Sequence, residues 1–366
     1  PAPSPAPLLP FSPPTMAQGP DVAPFFDGVI SVETGDGWAR PWRLQHKERS
    51  LYDRSLAAMA ACSAVRILLR TTGGRLRIVA SVASVPGVDA AALAKIPAYP
   101  LEYDLYVDGA FVATRQLGAA EGAHTVEFEG LAAGGKDVEV WLPPGVPLNV
   151  HAIDCGGDAV ERPVGDARPV FLCYGSSITH GGPCAASPSR AWPAVCSRLA
   201  GLRLVNLGFG AECFLDQGVA RAIRDAPCDC IAIKVGVNVQ CMAALTARTF
   251  PAAVLGFLQT VRDGHPRTPL VVVSPIWSGP LEERAPVQAP HFLSMAQLRA
   301  QLRAAVARLQ ARGDARLFYR DGLELLGAAE HHLLSDGVHP RERGQLLMGR
   351  RFAELEFGAA GRLLPG

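Results

Sequence analysis

A chain of 366 residues, 49% hydrophobic and 19% charged, has ample apolar area for a core, and its length favours two domains over one. Its 35 Lys and Arg stand against 34 Asp and Glu, so a net charge of +1 leaves no cationic surplus to neutralise a phosphate backbone or an anionic bilayer. Nucleic acid and membrane are therefore not expected partners, and no run of eighteen apolar residues offers a membrane span.

The first twenty residues are rich in Pro, Ala and Ser and hold no Lys or Arg, so the charged start of a secretory signal is missing; residues 1–22 read as a disordered arm, with Met16 a candidate start. From 23 to 155 short β-rich runs follow one another, separated by turn signals. They are Val65–Leu69, Leu76–Val82, Tyr103–Val107, Phe111-Val112, Thr125–Phe128, Val138–Leu142 and Leu148–Ile153, and Asp108-Gly109 marks a hairpin between the third and fourth. Without a long amphipathic helix between them, they predict a β-sandwich. Gly, Asp and Pro in 156–168 suggest a linker.

Beyond 169 strands and helices alternate. Val170–Tyr174, Arg203–Leu207, Cys230–Val235, Leu270–Ser274 and Ala315–Tyr319 are short apolar runs without polar alternation, the pattern of strands buried on both faces. Between the last two, Leu298, Leu302, Ala305, Val306 and Leu309 share one helical face over Ser294–Ala311, with Ser294 as N-cap. The alternation predicts a parallel sheet covered by helices on both sides. Nine cysteines, an odd number and scattered, several in apolar runs such as Phe171-Leu172-Cys173, read as reduced buried thiols of a cytoplasmic protein, with a disulfide framework the weaker alternative. Cys228 and Cys230 have no second Cys or His pair at zinc-site spacing, so no structural metal is expected.

In an open parallel sheet, sites form at the carboxyl ends of the strands. The first strand runs into Gly175-Ser176-Ser177-Ile178-Thr179-His180-Gly181, the second into Gly208-Phe209-Gly210-Ala211, the third into Gly236-Val237-Asn238-Val239, and after the fifth comes Ser335-Asp336-Gly337-Val338-His339-Pro340. A serine hydroxyl needs an adjacent base to become a nucleophile near neutral pH, and histidine is the side chain able to take and return that proton.

In order and spacing these four segments resemble the signature blocks of the GDSL or SGNH hydrolases, over about 169–357. The resemblance implies a flavodoxin-like three-layer α/β sandwich occupying 169–366. It also implies Ser177 as nucleophile, His339 as base, Asp336 as the carboxylate orienting the imidazole, and an oxyanion hole from Ser177, the Gly210-Ala211 region and Asn238. Neither cofactor nor metal is implied. Three positions depart from the family pattern: Ser176 stands in place of Asp, Ala211 where glycine is usual, and Val239 in place of the Asp that supports the asparagine. Gly175 is expected to let the strand turn sharply into a helix.

His180 reads as a loop residue, and His331-His332 as a solvated loop rather than a metal ligand pair. Trp192 and Trp277 read as packing, and Glu282-Glu283-Arg284 as either a polar lid or plain surface. The sandwich ahead of the catalytic unit, jelly-roll-like, is similar to that of carbohydrate esterases and of GDSL acyltransferases of tetracycline polyketide biosynthesis. That likeness implies small-molecule partners: an acyl donor, for such an acyltransferase an aryl coenzyme A thioester, and a hydroxyl acceptor. The competing expectations are a carbohydrate O-deacetylase and, in a different class, a non-catalytic carbohydrate-binding protein; a nucleotide binder would need a Gly-rich phosphate loop after the first strand.

Overall fold

The computed structural model describes residues 16–84, 101–118, 122–163, 166–182, 185–284 and 291–363. In the first half, alternation of apolar and polar side chains directs one face of each strand inward. Strand β6 (Arg75–Val82) buries Leu76, Ile78 and Ala80, and β10 (Lys136–Trp141) buries Val138 and Val140. One antiparallel sheet has the order β3 (Ser31–Gly35), β4 (Trp38–Trp42), β11 (Leu148–Asp154), β6, β9 (Ala123–Glu129), with β1 (Met16–Gln18) also on β11. The other has the order β2 (Phe26–Asp27), β5 (Arg66–Thr71), β10, β7 (Leu101–Val107), β8 (Ala110–Leu117). Ile67, Leu69, Ile78, Phe128, Val140 and Val150 join the two sheets in one core. The β7–β8 hairpin closes through Asp108 and Gly109, whose φ values of 48° and 78° are the left-handed pair that a two-residue turn requires.

Two expectations change here. Of the arm predicted over 1–22, residues 1–15 lie outside the described residues and 16–22 are folded: β1 pairs with Ala152–Asp154, and Val22 is buried in a 3-10 helix over Gly19–Phe25. The linker predicted over 156–168 is docked on the sandwich as far as Glu161, which exchanges both backbone hydrogen bonds with Arg70, while Val160 is buried. Strands β3 and β4 escaped the sequence reading because Glu33, Gly35 and Pro41 are residues that strands avoid, and β1 and β2 because they are only three and two residues long. A short helix, α1 (Arg54–Met59), was also not foreseen; Asp53 caps it by accepting from the Ser55 N–H.

The second half is a parallel sheet of order β13 (Arg203–Gly208), β12 (Val170–Gly175), β14 (Cys230–Lys234), β15 (Leu270–Val273), β16 (Leu317–Arg320). This is the 2-1-3-4-5 order of a flavodoxin-like sheet, whose crevice opens at the carboxyl ends of its first and third strands. Its helices are α2 (Ser177–His180), α3 (Trp192–Leu199), α4 (Gln217–Asp225), α5 (Val237–Cys241), α6 (Phe250–Gly264), α7 (Met295–Gln310) and α8 (Glu342–Phe357). Phe171 packs on Phe352 of α8 and Tyr174, from the opposite face of β12, on Phe257 of α6, so helices cover both sides. The N-terminus of α7 carries the capping box that Ser294 signals, with Gln297 as its partner. Among the described residues no helix is long and apolar enough to cross a membrane.

The two halves are joined by buried polar contacts. Asp104 of β7, fully buried, accepts from the Ser187 hydroxyl at 2.6 Å and the Ser189 N–H at 2.9 Å, fixing the approach to α3. Asp27 receives Arg66 from its own domain and Arg203 from β13; burial pushes its carboxyl up, and the two guanidinium groups outweigh that and hold it below the ordinary range.

Candidate active site

At the end of β12 the chain passes through Ser176, extended, into the single turn of α2, which starts at Ser177. Two glycines make this possible by their lack of volume. A Cβ on Gly175 would lie 2.2 Å from Thr179 Oγ1, and one on Gly208 would lie 2.2 Å from the His180 backbone N. Gly175 is not in the left-handed region, so the expected role in turning the chain is replaced by one of close approach.

Ser177 Oγ lies 2.8 Å from His339 Nε2, and His339 Nδ1 lies 2.7 Å from Asp336 Oδ2. The other carboxylate oxygen of Asp336 accepts the backbone N–H of Val338 at 3.0 Å and of His339 at 2.8 Å. Partial burial raises the Asp336 carboxyl; the hydrogen bonds from His339 and Val338 reverse that and set it below its ordinary value. The loop closes on itself through Ser335 N–H to His339 O, with Gly337 at φ 82°, and Ser278 Oγ donates to Gly337 O at 2.9 Å. Such a chain can carry a proton from the serine hydroxyl to the imidazole while the carboxylate fixes the tautomer.

Asn238, buried in α5, accepts the Cys213 N–H on Oδ1 at 3.2 Å, which leaves its amide Nδ2 to donate elsewhere. That contact supplies the support removed by Val239. Ala211, two residues earlier than Cys213, has φ 59°, the left-handed backbone that explains why glycine is usual here. Gly210 lies against Ser177, since a Cβ on it would be 3.9 Å from Ser177 Cβ and 3.3 Å from Met59 Sδ. Ser177, His339 and Asp336 are thus directly linked, with Gly210 beside them and Asn238 tied to the same segment as Ala211.

Other expectations are corrected. His180 is buried in α2 instead of lying on a loop, and burial, reinforced by the charge of Arg43, pushes its pKa well below the ordinary value. His331 and His332 are exposed, as expected, but stand on a 3-10 helix over Ala328–Leu333. Trp192 is buried against Phe352, and Trp277 meets the His331 ring edge-on. Glu282 is neither lid nor plain surface: it forms a two-pronged ion pair with the buried Arg299 and accepts the Ser278 N–H. Sequence reading missed the residues that the sandwich sends to the site, Met59, Ser63 and Arg43. It also missed Glu212, adjoining Ala211, whose carboxyl is pushed up to about 7 by burial and by the nearby Asp53 and Asp216, against a hydrogen bond from Ser55. Among the described residues no group of three or more His, Cys, Asp or Glu side chains could hold a metal ion.

A family model described as GDSL-like Lipase/Acylhydrolase family matches residues 168–354, and one described as SsfX3, N-terminal domain matches residues 25–150. Among solved structures, the chain is similar to the salicylyl-acyltransferase SsfX3 from a tetracycline biosynthetic pathway, with a TM-score of 0.80 and 30% identity over 92% of this chain and 94% of that one. A GDSL-like lipase of Bacteroides ovatus ATCC 8483 has a TM-score of 0.66 at 18% identity, covering 89% and 93% of the two chains. A family two carbohydrate esterase from Clostridium thermocellum, solved with cellohexaose, has a TM-score of 0.61 at 15% identity, covering 80% and 91%. At those identities the last two likenesses are of fold. No curated protein matches.

Proposed function

The chain belongs to the GDSL-like lipase/acylhydrolase family and is an enzyme of acyltransferase or esterase type, and from that premise we propose that it transfers an aryl acyl group from a coenzyme A thioester to a hydroxyl of a bulky natural product, such as a glycosylated polyketide. Ser177 Oγ attacks the thioester carbonyl as His339 Nε2 takes its proton, and Asp336 holds the Nδ1–H that fixes the ring. The oxyanion is met by the Ser177 N–H, a backbone N–H at Gly210 or Ala211, and Asn238 Nδ2. Collapse releases the thiol, which leaves with the proton from His339. The acceptor hydroxyl then gives its proton to His339 and attacks the acyl-serine, and His339 returns that proton to Ser177 Oγ as the serine leaves and the ester forms.

The observation that carries transfer is the likeness to an acyltransferase across both domains at 30% identity. Water at ~55 M competes for any acyl-enzyme, so transfer needs an acceptor held in near-attack geometry, where effective molarities can exceed that concentration. The eight cysteines of the described residues are free thiols, which supports a reducing, cytoplasmic setting. The test is incubation with an aryl coenzyme A thioester and a panel of glycosylated polyketides and sugars, with ester and free acid quantified by mass spectrometry. Ester formation on a polyketide acceptor is the expected result. Free acid with every acceptor, together with rapid cleavage of acetylated sugars, would replace transfer by carbohydrate deacetylation.

A further inference from the structure

We propose that Arg43, supplied by the sandwich domain, is a positioning residue for the oxyanion donors of the catalytic domain. This rests on the acyl-enzyme mechanism and adds a residue from outside the catalytic fold.

Strand β13 is an edge of the parallel sheet. In a parallel pair the N–H and C=O of one residue point the same way, and neighbours alternate. Phe209 N–H donates to Gly175 O, so the odd-numbered residues of this segment face β12 and Leu204, Asn206 and Gly208 face the open edge. Among the described residues no strand covers that edge, yet its carbonyls are satisfied. Leu204 O accepts from Arg66 at 3.0 Å, while Asn206 O and Gly208 O both accept from Nη1 of Arg43, at 3.0 and 2.6 Å. The remaining nitrogens of Arg43 donate to Ala61 O and Met59 O of its own domain. A fully buried guanidinium therefore spans four carbonyls, two from each domain.

The residues next in the chain after Gly208 tie this arrangement to catalysis. Phe209 presents its ring to the Arg43 guanidinium at 4.7 Å, and Gly210 and Ala211 come directly after it. Ala211 sits in left-handed backbone, a conformation that persists only when its surroundings impose it. Arg43 holds the strand end immediately before that turn. A second contact acts on the nucleophile side: Ser63 Oγ donates to His180 O at 2.6 Å and receives Asn206 Nδ2 at 3.1 Å. The sandwich thus grips both the oxyanion turn and the last residue of the helix that Ser177 begins.

Arg66 provides the control, because it meets the same strand edge at Leu204, at the end remote from Ser177. Arg43→Lys keeps the charge but cannot fork between two carbonyls. With p-nitrophenyl acetate, Arg43→Lys is expected to lower kcat about 10- to 100-fold, part of the ~100- to 1000-fold typical of losing one oxyanion donor, with KM within threefold. Affinity for a boronic acid that mimics the tetrahedral adduct should fall by the same factor. Arg66→Lys should lower the unfolding midpoint and leave kcat unchanged, and millimolar guanidinium should partly restore Arg43→Ala. Wild-type kcat in Arg43→Lys, or lost kcat with unchanged boronate affinity, overturns the proposal. If the Arg43 variants do not fold, Phe209→Leu gives the same reading: reduced kcat at constant KM supports it and unchanged kcat defeats it. Ser177→Ala is run alongside, since turnover in that variant would defeat the acyl-enzyme mechanism itself, whatever Arg43 does.

Discussion

Asp336→Asn keeps the shape of the side chain and changes only what its two ends can accept. In the wild-type loop one oxygen takes the N–H groups of Val338 and His339, and the other takes His339 Nδ1–H at 2.7 Å. An amide has one acceptor end. If its oxygen stays with the two backbone donors, its NH2 faces Nδ1, which must then be unprotonated; the ring proton moves to Nε2, the atom that has to receive the proton of Ser177. If the amide flips, NH2 is set against two N–H groups and two hydrogen bonds are lost, at ~1 kcal/mol each. The first arrangement wins by about 2 kcal/mol, which leaves roughly one molecule in thirty with the productive tautomer. The imidazolium also loses its counter-charge. Together these should lower kcat by ~1000- to 10,000-fold, or ~4 to 5.5 kcal/mol of transition-state stabilisation. The unfolding midpoint should hardly move, because the Asp336 side chain is 55% exposed and its backbone hydrogen bonds survive. Initial rates with p-nitrophenyl acetate, normalised to folded protein by circular dichroism, measure the effect. A kcat within tenfold of wild type would refute the tautomer argument, and a large drop in unfolding midpoint would make the loss structural.

Ser177→Ala should abolish ester turnover with an unchanged unfolding midpoint; residual burst kinetics in that variant would exclude Ser177 as nucleophile. Asn238→Ala should lower kcat by ~100- to 1000-fold with little change in KM, whereas an unchanged kcat would make Asn238 purely structural. Glu212 has a folded pKa of about 7 against 4.5 for the ordinary carboxyl, so the native state holds its proton more tightly and loses stability as pH rises through that interval. Glu212→Gln should therefore raise the unfolding midpoint relative to wild type at pH 8 and not at pH 4; equal midpoints at both would remove the burial argument. Ala211→Gly should stabilise the fold by up to ~1 kcal/mol in chemical denaturation, since left-handed backbone costs alanine more than glycine; a loss of stability would show that the turn is unstrained.

The parts legible in the sequence are those whose cause is local. Five apolar runs became the parallel sheet because strands buried on both faces carry no other pattern, and Asp108-Gly109 became a hairpin because its two residues tolerate the required dihedrals. Asp336 and His339 lie three residues apart on one loop and were readable through the resemblance of that block to a family signature. Strands β3 and β4 were not readable, since their stability comes from neighbouring strands and not from their own composition.

Long-range polar partners obey a different logic. Arg43 is 163 residues from Asn206 and 165 from Gly208, and Asp104 is 83 from Ser187. Nothing in the hydropathy of either segment encodes the pairing. Ser177 and His339 are 162 residues apart and yet could be matched in advance, because the segments that hold them resemble the signature blocks of a family and that resemblance limits the candidates. A backbone carbonyl sets no such limit, as every residue has one. Which carbonyls need a donor is decided only when the sheet order leaves β13 at an edge. Arg43 thus becomes interpretable once the topology is known, and the bearing on the site proposed for it comes from the edge carbonyls that it satisfies just before Gly210 and Ala211.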